Sequence, residues 1–276
     1  MAFKTILTVV GTEAKDRDIK LAAGLCEEAD AHLSVLVTEL ASPPPIGGYV
    51  AVISDAWLEE READEKRLKA RAGAVMALLA AEAISADVSS EYTEITWADE
   101  TVGRRAQYAD LTFVGPELLS SELLKEKVIE GALFSSGKPL LIVPGGFKPA
   151  LKPKRVVVAW DSRIEASRAV REALDLLVGA EDVRLALVDP IAGDQGEEPG
   201  ADAAAYLARH GVKVTVDRLS SEGRSVADTL RRHAVDCSAE LLVMGGYGHS
   251  RLRERIFGGV TKAMLDEPPL PILMAR

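Results

Sequence analysis

The sequence predicts an α/β protein made of two tandem open parallel sheets, each with helices on both faces. Three observations predict it. Apolar runs of strand length alternate with helical stripes, the pattern of a parallel sheet with helical crossovers. The pattern starts over in mid-chain, where Lys154–Asp161 (KRVVVAWD) repeats Lys4–Gly11 (KTILTVVG). Each half also closes alike, Pro139-Leu140-Leu141-Ile142 matching Pro271-Ile272-Leu273-Met274. An internal duplication follows. Its domains are expected at 1–146 and 153–276, joined through Pro144–Pro153, where three prolines and two glycines interrupt the pattern.

The elements justify this in order. Thr5–Val10 is a β-branched run fit for a central strand. Asp16–Ala29 carries Ile19, Leu21, Ala22, Leu25 and Cys26 at helical spacing, and His32–Val37 is strand again. Pro43–Gly48 must be loop, and a long helix is expected from about Ala56 to Ala83, with Glu59-Glu60-Arg61-Glu62 as a solvated face. Strand at Asp87–Ile95, helix at Thr101–Ala106, strand at Leu111–Val114, then Val128–Phe134 and Leu140–Val143 complete the first half. In the second half Glu165–Leu177 repeats the first helix, Val183–Val188 the second strand and Val212–Val216 the third. The apolar run Ala239–Met244 reads as a buried parallel strand.

Composition narrows the function. The 276 residues carry a net charge of −10 and a pI near 5.1, which argues against nucleic acid or an anionic membrane as a main partner. The longest apolar runs are of strand length, so no membrane span is expected. Met1-Ala2-Phe3-Lys4 leads directly into a strand, without a charged-then-apolar signal segment, and a cytoplasmic location is expected. Cys26 and Cys237 read as core thiols in a reducing compartment, with a disulfide left open. The four histidines (His32, His210, His233, His249) make no metal-ligand spacing with the cysteines, so no transition-metal site is expected.

The stretch that carries chemistry is Met244–Thr261, MGGYGHSRLRERIFGGVT. Gly245, Gly246 and Gly248 let the backbone turn sharply after a strand, and Gly258-Gly259 precede a helix that opens at Val260. A helix N-terminus offers unpaired N–H groups to an anion, so strand, glycine loop and helix read as a phosphate clamp. A long surface loop with turn glycines is the competing reading. His249-Ser250 reads either as a phosphate contact or as a hydrogen bond within the loop, and most of Arg251, Arg253 and Arg255 are expected to be solvated, since only one or two can face inward. Asp161-Ser162, directly after a strand, reads either as a ligand for a sugar or base edge or as a cap for the next helix. The chain has neither G-x-x-x-x-G-K-[ST] nor G-x-G-x-x-G, and no catalytic triad or carboxylate pair assembles from local spacing.

Gly245, two residues, Gly248, nine residues, Gly258 resembles the nucleotide-binding signature G-x2-G-x9-G-[ST] of the universal stress protein family. The sequence departs from it at Gly259, where the family has a hydroxyl residue; Thr261 stands two positions on, where family members also approach the phosphates. Each half resembles one family domain over nearly its full length. The resemblance implies open five-stranded, Rossmann-like sheets of the adenine nucleotide alpha hydrolase-like type. It implies pairing of last strands within the chain, Leu140–Val143 against Ile272–Ala275, with a homodimer also open. It implies an adenine nucleotide, ATP or else ADP or AMP, with Mg²⁺ held through the phosphates. Asp161 would contact the nucleoside, the Val188 backbone would read adenine, and Ala159 and Trp160 would flank them. Met244, Gly245, Gly248, His249, Ser250, Gly258, Gly259, Val260 and Thr261 would form the phosphate side.

The first half acts as an internal control. Aligning Lys4 with Lys154 puts Gly11 opposite Asp161; separately, Gly115 aligns with Gly245, but Pro116-Glu117-Leu118 follows, so the second loop glycine is missing. Counting back from the closing prolines puts Glu126-Lys127 opposite Gly258-Gly259, and a glutamate there would repel phosphate. A degenerate N-terminal site and one nucleotide per chain are therefore expected, with the Pro43–Ile53 segment as a feature of the first half alone. The expected function is a cytoplasmic, nucleotide-dependent regulator or adaptor in stress response, with an unknown protein partner and at most slow ATP hydrolysis. The alternative is an interaction or small-molecule-binding protein with a vestigial nucleotide site. An adenylating enzyme of a related fold is disfavoured, because no catalytic constellation accompanies the loop.

Overall fold

The computed structural model describes residues 3–41, 55–82, 84–191, 198–247 and 259–276. Two compact bodies divide the chain, Phe3–Lys138 and Pro139–Arg276.

The first body runs β1 (Thr5–Gly11), α1 (Arg17–Ala29), β2 (His32–Ala41), α2 (Asp55–Ala80), β3 (Ala86–Glu94), α3 (Ala98–Ala106), β4 (Leu111–Val114), α4 (Pro116–Leu119) and α5 (Glu122–Glu130). Its strands are all parallel, in the order β3-β2-β1-β4. β1 lies between two neighbours, and Ile6, Leu7, Thr8, Val9 and Val10 are all buried, as a continuous β-branched run requires. α1 turns Ile19, Ala22, Leu25 and Cys26 onto that sheet. The helix expected from Thr101 begins at Ala98, and the chain after α5 continues as a π-helical stretch, Gly131–Ser136. Glycine explains that crossing: a Cβ on Gly131 would lie 2.5 Å from the Asp99 carbonyl, so the two backbones pack directly on each other. The Glu59–Glu62 run is exposed except Arg61, whose guanidinium sits over Trp57 at 4.7 Å and Tyr92 at 5.0 Å.

The second body runs β5 (Leu140–Ile142), β6 (Arg155–Ala159), α6 (Ile164–Glu172), α7 (Leu174–Gly179), β7 (Asp182–Val188), α8 (Ala201–Arg209), β8 (Val214–Leu219), α9 (Val226–Asp236), β9 (Leu241–Gly245), α10 (Val260–Asp266) and β10 (Ile272–Ala275). Five strands are parallel in the order β10-β9-β6-β7-β8, and β5 pairs antiparallel with β10. Ile272, Leu273 and Met274 oppose Ile142, Leu141 and Leu140, the two segments that the resemblance pairs. The helix expected over Glu165–Leu177 is broken at Ala173 into α6 and α7. Strand order reverses at β6: the chain leaves it toward β7 and β8, then returns on its other side as β9 and β10. Ligands of open α/β sheets sit at such a reversal, beyond the carboxyl ends of the strands.

Candidate functional site

The carboxyl ends of β6, β7 and β9 lie side by side. Ala159 stands in register with Ala186 on one neighbour and Met244 on the other. The next residues therefore emerge on one edge: Trp160-Asp161 after β6, Asp189 after β7, and Gly246-Tyr247 after β9. Trp160 donates its N–H to the Ala186 carbonyl at 2.9 Å, Asp189 to Leu219 at 2.8 Å, and Gly246 to Ala275 at 2.8 Å, so each turn is tied to the strand beside it. Each turn also contains a non-glycine residue with left-handed backbone: Ser162 (φ 63), Asp189 (φ 46) and Tyr247 (φ 56). Such conformations persist where surrounding structure enforces them, and they concentrate at ligand sites.

Asp161 is exposed, and its Oδ1 accepts the Arg163 N–H at 3.1 Å just ahead of α6. The capping reading of Asp161-Ser162 is thus realised in part. Oδ2 lies 3.7 Å from the Arg163 guanidinium, and 58% of the Asp161 side chain is exposed, leaving that carboxylate room to accept further bonds. Asp189, which with Val188 follows the second strand of this half as one of the three segments expected at the pocket, accepts the Ser221 N–H at 3.0 Å. Hydrogen bonds from Ser221, side chain first and backbone second, hold its carboxyl below the usual range against a smaller opposing effect of burial. Its signal was a lone aspartate directly after a strand, one residue beyond Val188.

On the far side of the reversal, Thr261 is buried in the first turn of α10, and its Oγ1 accepts the Tyr247 N–H at 3.1 Å. That bond joins the two ends of the glycine segment. Thr261→Val keeps the shape and removes the acceptor, so the Tyr247 amide should exchange faster, by an opening free energy lower by about 1 kcal/mol. Unchanged exchange would show that the bond does not hold the segment closed. Gly245 has a different reason for being glycine: a Cβ there would lie 2.6 Å from the Ala166 nitrogen and 2.7 Å from the Glu165 carbonyl carbon. The close approach is made by the first turn of α6. Gly259 is extended and precedes α10, and Val260 is its first residue. Gly248, His249, Ser250, Gly258 and the three arginines of the segment lie outside the described residues, as does Pro43–Ile53.

The matching edge of the first body is filled by its own side chains. Thr12, after β1, donates to Glu39 near the end of β2, and Arg67 from α2 reaches both Glu39 and Asp64. Asp64, buried, also accepts the Tyr92 hydroxyl at 3.0 Å. Burial first, then that bond and the charge of Asp64, push the Tyr92 hydroxyl up to about 12. Arg71 closes the row on Asp16 at 2.8 Å and on the Lys15 carbonyl at 2.8 Å. Beyond β4, where the sequence lacks its second loop glycine, Asp18 of α1 accepts the Glu117 N–H at 3.1 Å and the Leu118 N–H at 2.9 Å. An internal carboxylate occupies the backbone donors at the start of α4.

An open parallel sheet with helical crossovers and left-handed turns at its reversal point defines a protein of the doubly wound α/β class. Comparison narrows the class. The model of the Universal stress protein family matches residues 152–276. A universal stress protein of Synechocystis sp. is 28% identical over 156 residues, and the match spans 54% of this chain and 50% of the relative's length. A universal stress protein from Archaeoglobus fulgidus has the same fold at 17% identity, with a TM-score of 0.65 over 98% of this chain and 96% of its own. A Pseudomonas aeruginosa protein assigned to the same family is similar at 14% identity, with a TM-score of 0.61 over 99% of this chain and 93% of its own. Among the described residues no helix is long and apolar enough to cross a membrane.

Proposed function

We propose that the C-terminal half binds an adenine nucleotide, ATP foremost, and that the protein acts as a cytoplasmic, nucleotide-dependent regulator or adaptor in stress response. The observation that carries this reading is the trio of strained turns after β6, β7 and β9, gathered at the reversal of strand order with the exposed Asp161 among them. The family match over 152–276 supports it. The described residues fit the nucleoside end of the ligand: Asp161 is free to accept hydrogen bonds from ribose hydroxyls, and the Val188 backbone ends a strand at the crevice. The phosphates would be held within Gly248–Gly258 and at Gly259–Thr261, with Mg²⁺ bound through the phosphates and water. Hydrolysis is slow at most in this reading, because the sequence offers no base to orient a water. The N-terminal half takes no nucleotide in this manner, since Glu39, Asp64, Arg67 and Asp18 fill the equivalent edge.

The test is to denature freshly purified protein, identify released nucleotide by chromatography and mass spectrometry, and titrate the emptied protein with ATP by calorimetry. One nucleotide per chain is expected, with Asp161→Ala and Gly248→Val each weakening ATP at least about tenfold while the fold stays intact. Two nucleotides per chain would overturn the single-site reading. A protein that is empty and ignores ATP would favour the second reading, an adaptor or small-molecule binder with a vestigial site. Gly259 in place of a hydroxyl residue, and the engagement of Thr261 Oγ1 with Tyr247, are the observations on that side.

A further inference from the structure

Two strands away from β6, at the edge strand β8, three side chains of different chemistry converge. Asp217 projects from β8, while His233 and Cys237 come from the last turn of α9 and the residue that caps it. His233 and Cys237 are four residues apart, so the helix sets them on one face. Their position is fixed by the way the helix stops: Ala239 donates to the Ala234 carbonyl at 2.8 Å, and Ser238, in left-handed backbone, donates to Val235 at 2.8 Å. One carboxylate oxygen, one imidazole nitrogen and one thiol sulfur all lie within 4.8 Å of one another, and all three residues are half-buried.

Two of the three separations lie close to those around a metal ion. Cys237 Sγ lies 3.6 Å from His233 Nε2, and His233 Nε2 lies 3.1 Å from Asp217 Oδ2. A tetrahedral zinc ion, with usual bond lengths, sets sulfur and nitrogen about 3.6 Å apart and nitrogen and oxygen about 3.4 Å apart. Asp217 Oδ2 is buried and accepts no hydrogen bond, although the imidazole stands beside it. A buried carboxylate oxygen left in that state costs free energy, and a cation would remove the cost. Asp217 Oδ1 faces the other way, 3.7 Å from Arg184, which in turn holds Asp182 through its Nε at 2.9 Å. With the thiol ionised, a divalent cation would leave Asp182, Asp217, Arg184, Cys237 and the metal together neutral. The negative end of α9 also points at the cluster.

We propose that Asp217, His233 and Cys237 form a binding site for a single divalent metal of zinc type, with a fourth position open to water or another ligand. Sulfur, imidazole and one carboxylate form a donor set suited to Zn²⁺ rather than to Mg²⁺ or Ca²⁺. Binding forms a metal–thiolate bond and releases the Cys237 proton to solvent. The site stands apart from the nucleotide reading and does not depend on it.

The test uses the full chain without an affinity tag, titrated with Co²⁺ as a spectroscopic probe and then with Zn²⁺ in competition with a chromogenic chelator. One equivalent of Co²⁺ should produce near-ultraviolet thiolate-to-cobalt charge-transfer absorption and the visible bands of a four-coordinate ion, and Zn²⁺ should erase both. Cys237→Ser should abolish the charge-transfer band. His233→Ala and Asp217→Asn should each weaken Zn²⁺ by more than about tenfold, a loss that changes outside the ligand shell already bring. Cys26→Ser is the control, because that thiol is buried and burial pushes it up to about 12; the band should be unchanged. Circular dichroism of every variant keeps misfolding distinguishable. Absence of a charge-transfer band in folded wild-type protein, or a band that survives Cys237→Ser, would overturn the proposal.

Discussion

Replacing Asp18 with alanine is expected to cost the Phe3–Lys138 body about 3 kcal/mol. The carboxylate is buried, 1% exposed, and accepts two backbone N–H groups at the start of α4. The relation is reciprocal, since Glu117 accepts the Asp18 N–H at 3.4 Å in the first turn of α1. Two helix starts thus cap each other across about a hundred residues of sequence. Truncation strands two donors in the interior, and each charge-assisted bond lost is worth about 1.5–3 kcal/mol; relief from burying a carboxylate offsets part of the sum. Gly115 leaves the room, since a Cβ there would lie 2.3 Å from the Asp18 carboxyl carbon. The readouts are the denaturant midpoint of this body and hydrogen exchange at Glu117 and Leu118. A change below about 0.5 kcal/mol, the range of neutral surface substitutions, would refute the capping role.

The same residue predicts a pH dependence of definite sign. Burial, the largest influence, raises the Asp18 carboxyl above its ordinary value, against the bonds from Leu118 and Glu117. A group raised on folding binds protons more tightly in the folded state. Its contribution is therefore complete below the unfolded carboxylate value and declines as pH rises through the higher folded value. Asp18→Asn removes that titration. The stability gap between wild type and Asp18→Asn should accordingly be wider in acid than at neutral pH, and a gap that widens on going to neutral pH would contradict the burial argument.

Much of this fold was legible because each signal was local and repeated. The β-branched runs at Thr5–Val10 and Arg155–Ala159 became central strands because only a strand buried on both faces accommodates such a run. The restart at Lys154 anticipated β6, and the family resemblance implied the pairing of Leu140–Val143 with Ile272–Ala275, whose segments meet as β5 and β10. What the sequence concealed depends on partners far along the chain. Gly245 read as a place for a ligand's close approach, yet the nearest atoms belong to α6, which only the folded crossover brings there. Asp18 drew no reading within Asp16–Ala29, because its partners, Glu117 and Leu118, lie about a hundred residues on. The sequence reads as having no metal-ligand spacing between histidines and cysteines; His233 and Cys237 meet across one helical turn, and Asp217 reaches them only in the folded chain. Of the expected site residues, Ala159, Val188 and Met244 stand at the adjoining carboxyl ends of three parallel strands, and Thr261 bonds to the chain that follows the third.

Gly245→Ala is expected to destabilise the Pro139–Arg276 body by about 3 kcal/mol, at the upper end for overpacking. The added methyl would meet the Ala166 nitrogen at 2.6 Å and the Glu165 carbonyl carbon at 2.7 Å. These are backbone atoms of a helix packed on the sheet, so no side-chain rotation relieves the contact; α6 must lift as a unit or β9 must bend. Gly179→Ala is the matched control, because its added methyl meets nothing within 4 Å, and it should be neutral or slightly stabilising through reduced freedom of the unfolded chain. The pair also separates two meanings of a signature glycine. If Gly245 serves the packing of α6, the variant loses stability first, and whatever remains folded at low temperature binds nucleotide with an affinity lowered only as far as the Asp161–Arg163 turn moves with the helix. If Gly245 instead serves the ligand, the variant keeps its denaturation midpoint and loses nucleotide binding. The distances to Glu165 and Ala166 commit this protein to the first outcome, and a fully stable Gly245→Ala that no longer binds nucleotide would refute it.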